Sequence, residues 1–242
     1  MINVKANIIA QLKKELLPLQ GYKGMARSDA LDEKLGNLKN AFPGNCFPLA
    51  AIHEFVLNDN MNAAASNGFI AALLAPLIKT ETSVLWICNE QPIFPVALHS
   101  FGIYPQKIIF VKVNSSKEIL WVLEEALKCT GLKAVVANVK ELSFTASRRL
   151  QLAVEQSQVS GFIINNGTSG LGISAAIARW KISSLPSFIE AGLPGVGLAR
   201  WNVELLKVRN GQPSQWDVTL CEGKFLQIPL IKLDEFRHKK TG

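Results

Sequence analysis

From residue 47 to residue 165 the chain repeats one pattern: a short, nearly uncharged apolar run, then a helix-length stretch, then another apolar run. The runs are "FPLAAIHEFVL" (47–57), "SVLWIC" (83–88), "KIIFVKV" (107–113), "LKAVVANV" (132–139) and "VSGFIIN" (159–165). Runs that stay apolar rather than alternating belong to strands covered on both faces, and strands separated by helices pair in parallel. The stretches between them read as helices. Residues 61–78 are rich in Ala and Leu, both strong helix formers. Residues 92–101 suggest a short helix after Pro92. In "SSKEILWVLEEALKC" (115–129), Ser115 and Glu118 have capping-box spacing ahead of a stripe of Ile119, Leu120, Leu123, Ala126 and Leu127. "FTASRRLQLAVEQSQ" (144–158) places Leu150, Ala153 and Val154 on one face. The fold expected is α/β, with a mostly parallel sheet between two layers of helices.

On either side of this core the pattern differs. Residues 5–17 carry Ile8, Ile9, Leu12 and Leu16 at helical spacing up to Pro18, and residues 18–44 mix turns with short helix. After "NNGTSGLGIS" (165–174) come a strand at 175–185, a Pro/Gly-rich loop at 186–199, and two strands flanking Asn210-Gly211, a strong hairpin signal. "GKFLQIPL" (223–230) suggests a further strand. The division expected is a helical element at 1–40, one α/β domain with antiparallel extension at 41–230, and a charged tail at 231–242.

A hydrophobic content of 48% with 19% charged residues supports a sizeable core rather than disorder. No apolar run reaches the roughly 18 residues of a membrane helix. The N-terminus has lysines within its apolar pattern, unlike a signal peptide, so a cytoplasmic location is expected. Cys46, Cys88, Cys129 and Cys221 form no CxxC pair and are expected to be reduced, buried thiols. The net charge of +7 is carried outside the centre: residues 41–138 hold 6 basic and 7 acidic side chains, residues 139–242 hold 13 and 8. Such a surface suits nucleic acid or an acidic partner, or serves only solubility.

The junction "EFVLNDNMNAAASNGF" (54–69) runs from a strand into a helix, where many α/β proteins cradle phosphate. The template G-x-x-x-x-G-K-[ST] supplies turn glycines, a lysine and a metal-binding hydroxyl. Here its positions fall on Leu57, Asn62, Ala63 and Ala64, and none fits. Helix 61–78 is therefore expected to pack tightly, with no phosphate at its start. In the alternative, Asn58, Asn60 and Asn62 offer amide donors beside a helix N-terminus, which favours anions. His53-Glu54 lacks the second histidine of a zinc-protease helix. Neither His99 nor His238 has an evident partner, and no nucleophile–base set stands out.

Four further features have two readings each. Arg148 and Arg149 point about 100° apart on a helix; they meet phosphate or a partner carboxylate, or form a solvated face. Arg179-Trp180 and Arg200-Trp201 repeat a pair enriched at interfaces; in a strand they equally suit Trp inside and Arg outside. Arg209 is a further basic candidate in the second of these strands. The loop Asn166–Ser174, with Gly167, Gly170 and Gly172, allows close approach of DNA or a partner backbone, or is a plain connection.

Taken in order, "HEF" at 53–55, "LWVLEEAL" at 120–127, "TASRRLQLA" at 145–153, "RWKI" at 179–182 and "RWNVELLKVRNGQPSQW" at 200–216 make the chain similar to the RecA-like ATPase core. More closely, it resembles the ImuA family, RecA-related proteins of bacterial mutagenesis cassettes, over roughly residues 42–220. The resemblance implies a part in damage-induced translesion synthesis (the SOS response). The partners it implies are an ImuB-type inactive Y-family-like protein and, indirectly, an error-prone C-family polymerase. DNA and a homo-oligomer are further candidates. It also aligns Glu90 with the water-activating glutamate of RecA-type ATPases, as a relic or a solvated strand-end acid. Ala137 or Asn138 stands where those enzymes have a magnesium-linked aspartate. Hydrolysis needs all these parts together, so the chain is expected to be a pseudo-ATPase with no cofactor, its phosphate and metal motifs both degenerate. The alternative is an active ATPase with an atypical phosphate loop.

Overall fold

A computed structural model describes residues 26–57, 61–78, 81–90, 93–167, 172–187 and 197–228. The expected helix at 5–17, the tail at 231–242 and His238 lie outside them. Among the described residues nine strands form one sheet: β1 Ile52–Val56, β2 Ser83–Cys88, β3 Ile108–Lys112, β4 Leu132–Val139, β5 Ser160–Asn165, β6 Ala178–Leu185, β7 Arg200–Val208, β8 Ser214–Cys221 and β9 Lys224–Gln227. Their order is β3-β2-β4-β5-β1-β6-β7-β8-β9. Pairing is parallel from β3 to β6 and antiparallel from β6 to β9. The α-helices among the described residues are α1 Asp29–Leu35, α2 Met61–Leu74, α3 Ser116–Lys128 and α4 Phe144–Ser157. This is the expected α/β architecture, with helices on both faces, and is consistent with a RecA-like core.

The period-two geometry of the central strands sorts their side chains between two cores. Phe55 of β1, Phe162 of β5, Trp86 of β2 and Trp180 of β6 pack with α2 on one face. Ile52, Val135 and Ile163 point the other way, against Ile119, Leu123 and Leu127 of α3 and Leu150 and Val154 of α4. Each fully buried Leu or Ile of α3 contributes about 1.5–3 kcal/mol. Both helices start at serine caps: Ser115 Oγ accepts from the Glu118 amide, and Ser143 Oγ from the Ala146 amide. The segment before β1 belongs to the first core, since Leu31, Leu35 and Leu38 are buried in it.

Several local readings need correction. Helix α2 ends at Leu74 rather than 78; Pro76, without an amide to continue the ladder, sits in a 3₁₀ turn at Ala75–Leu77. The element expected after Pro92 is a 3₁₀ turn that starts at Pro95 and ends at Phe101, closed by Gly102 in the left-handed region. Strands β7 and β8 do pair, but Asn210-Gly211 is not their two-residue turn. Regular pairing stops at Leu205 and Ser214, and only Asn210 has a positive φ of 57°. Gly211 is instead pressed against the chain before β1, where a Cβ would lie 2.3 Å from the Ala41 carbonyl oxygen. The tight hairpin is Glu222-Gly223, with φ of 49° and 73°, closing Cys221 against Lys224. Of the cysteines only Cys88 is buried; Cys46 and Cys221 are half-buried and Cys129, in the turn that caps α3, is exposed. All four are free thiols. Among the described residues no helix is long and apolar enough to cross a membrane.

Candidate functional site

Strand β1 delivers the chain to the place where the phosphate loop would lie. Leu57, half-buried, is still tied to the sheet, its amide donating to the Asn165 carbonyl at 3.0 Å. Asn58 and Asn60 fall outside the described residues. Within α2, Asn62 and Ala63 are half-buried and Ala64 is exposed. From residue 40 to residue 78 there is no Lys or Arg at all, so this junction has no cation of its own for a triphosphate. From Phe69 to Leu74 α2 is buried without a break. Glu90 is exposed, two residues beyond β2. Ala137 is fully buried in β4, and Asn138 is half-buried with an Oδ1 that has no hydrogen-bond partner among the described residues.

The most organised polar cluster lies in the middle of β1, on the α3–α4 face. Glu54 is 1% exposed. Its Oε1 accepts from Asn165 Nδ2 at 2.8 Å, and its Oε2 accepts from Ser174 Oγ at 2.6 Å and from Arg179 Nε at 2.9 Å. Arg179, 8% exposed, also donates from Nη2 to the Gly172 carbonyl at 2.7 Å. The parallel register sets Glu54 beside Arg179, which makes the ion pair a property of the β1–β6 ladder. Two further cations reach the same segment. Lys207 Nζ donates to the Ser174 carbonyl at 3.1 Å and Arg209 Nη2 to the Ala175 carbonyl at 3.0 Å. The Ala175 amide donates to Ser147 Oγ of α4 at 2.9 Å. Partial burial, with Arg179 and Arg209 close by, pushes the Lys207 ammonium below the usual lysine range.

Arg200-Trp201 follows the reading with Trp inside and Arg outside, and Arg179-Trp180 departs from it. Trp180 and Trp201 are buried in the first core. Arg179 is buried too, because β6 is covered on both faces; it is not the solvated partner of its tryptophan. Arg200 is half-buried and donates to the Pro186 carbonyl at 3.3 Å. Arg148 and Arg149 are both exposed, and Arg149 bridges to Glu124 of α3. That bridge crosses a cleft of about 280 Å³ between α3 and α4, floored by Leu120, Ala146 and Leu150 and edged by Trp121, which is 65% exposed. His53 is buried opposite Glu54, where its Nε2 lies 2.7 Å from the Pro48 carbonyl oxygen and its Nδ1 accepts from Trp180 Nε1 at 3.3 Å. Among the described residues no group of three or more His, Cys, Asp or Glu is placed to hold a metal ion.

The sequence alone gives Glu54, Asn165 and Lys207 no role in a site, and Ser174 only a place in the glycine-rich loop. The available signal was the glutamate itself: a charge inside the buried run "AAIHEFV" has to be paired. Its partner, 125 residues away, has no local signature.

No family model matches the chain. Two curated proteins named Protein ImuA, from Caulobacter vibrioides strains NA1000 / CB15N and ATCC 19089 / CIP 103742 / CB 15, are each 32% identical to it over 193 residues. The match covers 74% of this chain and 79% of each relative. At that identity and coverage, the chain belongs to the ImuA family.

Proposed function

We propose that this ImuA-family protein is a non-catalytic RecA-like adaptor in error-prone DNA damage tolerance. Family membership supports the part in damage-induced mutagenesis. The observation that carries the non-catalytic reading is the β1–α2 junction: the phosphate-loop positions lack glycine, lysine and hydroxyl, and residues 40–78 hold no Lys or Arg. A helix N-terminus alone favours an anion by about 0.3–1 kcal/mol, up to about 2 when partly buried, which is far short of holding Mg-ATP. The α/β core is then a scaffold for an ImuB-type inactive Y-family-like protein and, through it, a C-family polymerase, with DNA as a further partner.

Co-purification from damaged cells tests the adaptor. The tagged chain, recovered under nuclease, is expected to bring down a protein of the inactive Y-family type. Its absence, with the bait folded and well expressed, counts against the reading.

Calorimetry and thermal melting with Mg-ATP test the lost nucleotide site. A site with a dissociation constant of ~10 μM would, at ~1 mM nucleotide, add about 2.7 kcal/mol of stability. In a chain of this size that raises the melting temperature by about 5–11 °C. The expected result is no binding heat and a shift below ~1 °C. A shift of several degrees would restore the ATPase alternative.

A further inference from the structure

The geometry points to the cleft between α3 and α4 as a docking site for an acidic protein segment that carries a large apolar side chain. The inference rests on the adaptor reading, for which it supplies a contact surface.

The cleft sets an apolar floor beside an aromatic wall that the core does not use. The buried stripe of α3 is Ile119, Leu123 and Leu127. Trp121 stands outside that stripe and is 65% exposed. Leu120 and Ala146, both half-buried, line the cleft next to it. Leu152, 45% exposed, follows Arg149 by three residues and so lies on the same side of α4. A single exposed apolar side chain is ordinary. A tryptophan over an apolar floor is the kind of anchor on which binding energy concentrates. The volume of about 280 Å³ is below the roughly 300–1,000 Å³ of pockets that enclose a cofactor or drug-sized ligand. The cleft therefore suits an inserted side chain rather than a metabolite.

Charge selects what flanks that side chain. Glu124 lines the cleft, but Arg149 and Lys128 both pair with it. Lys117, exposed on the rim, makes no hydrogen bond or ion pair among the described residues, and neither does exposed Arg148. Helices α3 and α4 each lead from one parallel strand to another, so they run in the same direction. Their positive N-termini, capped by Ser115 and Ser143, fall at the Lys117 end of the cleft. Carboxylates complement that rim. A nucleic acid fits it less well, because its backbone would pass the Glu124 carboxylate over an apolar floor.

Fluorescence anisotropy of the fluorescein-labelled peptide EEFLEELFEE, titrated with the full chain, reads the cleft. The anchorless EEAAEEAAEE and the charge-inverted KKFLKKLFKK are each expected to bind at least about ten-fold more weakly. Trp121→Ala is expected to weaken EEFLEELFEE about thirty-fold while melting within about 2 °C of the parent. Lys117→Glu is expected to weaken it about ten-fold, and Lys117→Arg to stay within about three-fold. Phe94→Ala removes an aromatic that is 71% exposed beside the turn whose Leu98 is buried in the other core, and is expected to match the parent. Equal binding of the three peptides, or an unchanged affinity in Trp121→Ala, overturns the site. Tighter binding of a labelled oligothymidylate, lost in Trp121→Ala, also overturns it and makes the cleft a nucleic-acid surface. Co-purification with Trp121→Ala separates this site from the adaptor reading. Loss of the Y-family-like protein that the parent recovers supports the site. Equal recovery by both overturns it and leaves the adaptor standing. Where the parent recovers no such protein the adaptor reading fails, and the peptide titration still decides the cleft.

Discussion

Arg179→Met is expected to destabilise the chain by about 3–5 kcal/mol, measured as a lower midpoint of urea unfolding with an unchanged slope. The cost comes from what stays behind. Glu54 is 1% exposed and keeps Asn165 and Ser174 as donors, but loses the guanidinium it is paired with. An uncompensated carboxylate in that position is far more costly than the loss of one hydrogen bond. The companion variant Glu54→Gln/Arg179→Met removes both charges and keeps the shape around residue 54. It is expected to regain a large part of the loss, because the two sites are in contact and their effects do not add. Two outcomes would contradict the arrangement: a single-variant cost below ~0.5 kcal/mol, or a double variant as unstable as the sum of the two singles. The pair also fastens the segment from Gly172 to Ala175 to the sheet. Arg179→Met should therefore loosen the strip whose carbonyls accept from Lys207 and Arg209 without touching either side chain.

Much of the fold was legible because burial on both faces leaves a mark along the chain. The five apolar runs of 47–165 are β1 to β5, and the stripe from Ile119 to Leu127 is the buried face of α3. Local chemistry was legible where the cause is local: Ser115 caps α3 as its spacing to Glu118 implies. Features decided across the chain were not. Asn210-Gly211 carries the strongest hairpin dipeptide, yet its glycine serves contact with Ala41, which no neighbouring residue announces. The tight turn fell to Glu222-Gly223, a weaker dipeptide in a hairpin at the sheet edge. Arg179 reads like Arg200, each followed by tryptophan. Only the sheet order, which sets β6 beside β1 and under the 172–176 segment, makes the first a buried ion-pair partner and leaves the second at a strand end. The missing phosphate-loop chemistry stood in the sequence throughout, since the absence of Lys and Arg from 40 to 78 needs no fold to be seen.

Acid is expected to weaken the fold before its carboxylates titrate, and the cause is His53. Its ring is fully buried, stacked on Phe47 at 4.4 Å and on Phe162 at 5.5 Å, with Trp180 donating to Nδ1. That donor fixes the neutral tautomer, with the proton on Nε2 directed at the Pro48 carbonyl. Burial pushes the imidazole down to about 4 from 6.5, against the smaller opposing effect of the Pro48 hydrogen bond. The unfolded chain therefore takes up a proton at this residue that the folded chain refuses. Stability from this group is complete above pH 6.5 and is lost as pH falls toward 4. At 1.36 kcal/mol per unit, the whole window is worth about 3 kcal/mol and the part lost by pH 5 about 2. Urea midpoints measured from pH 7.5 to 4.5 should fall accordingly. In His53→Gln, which titrates nothing at this position, the curve should lie lower at pH 7.5 and be flatter across the same window. A parent midpoint that holds steady down to pH 5 would mean that the ring is hydrated, and that the stack of Phe47, His53 and Phe162 is not the closed core it is described to be.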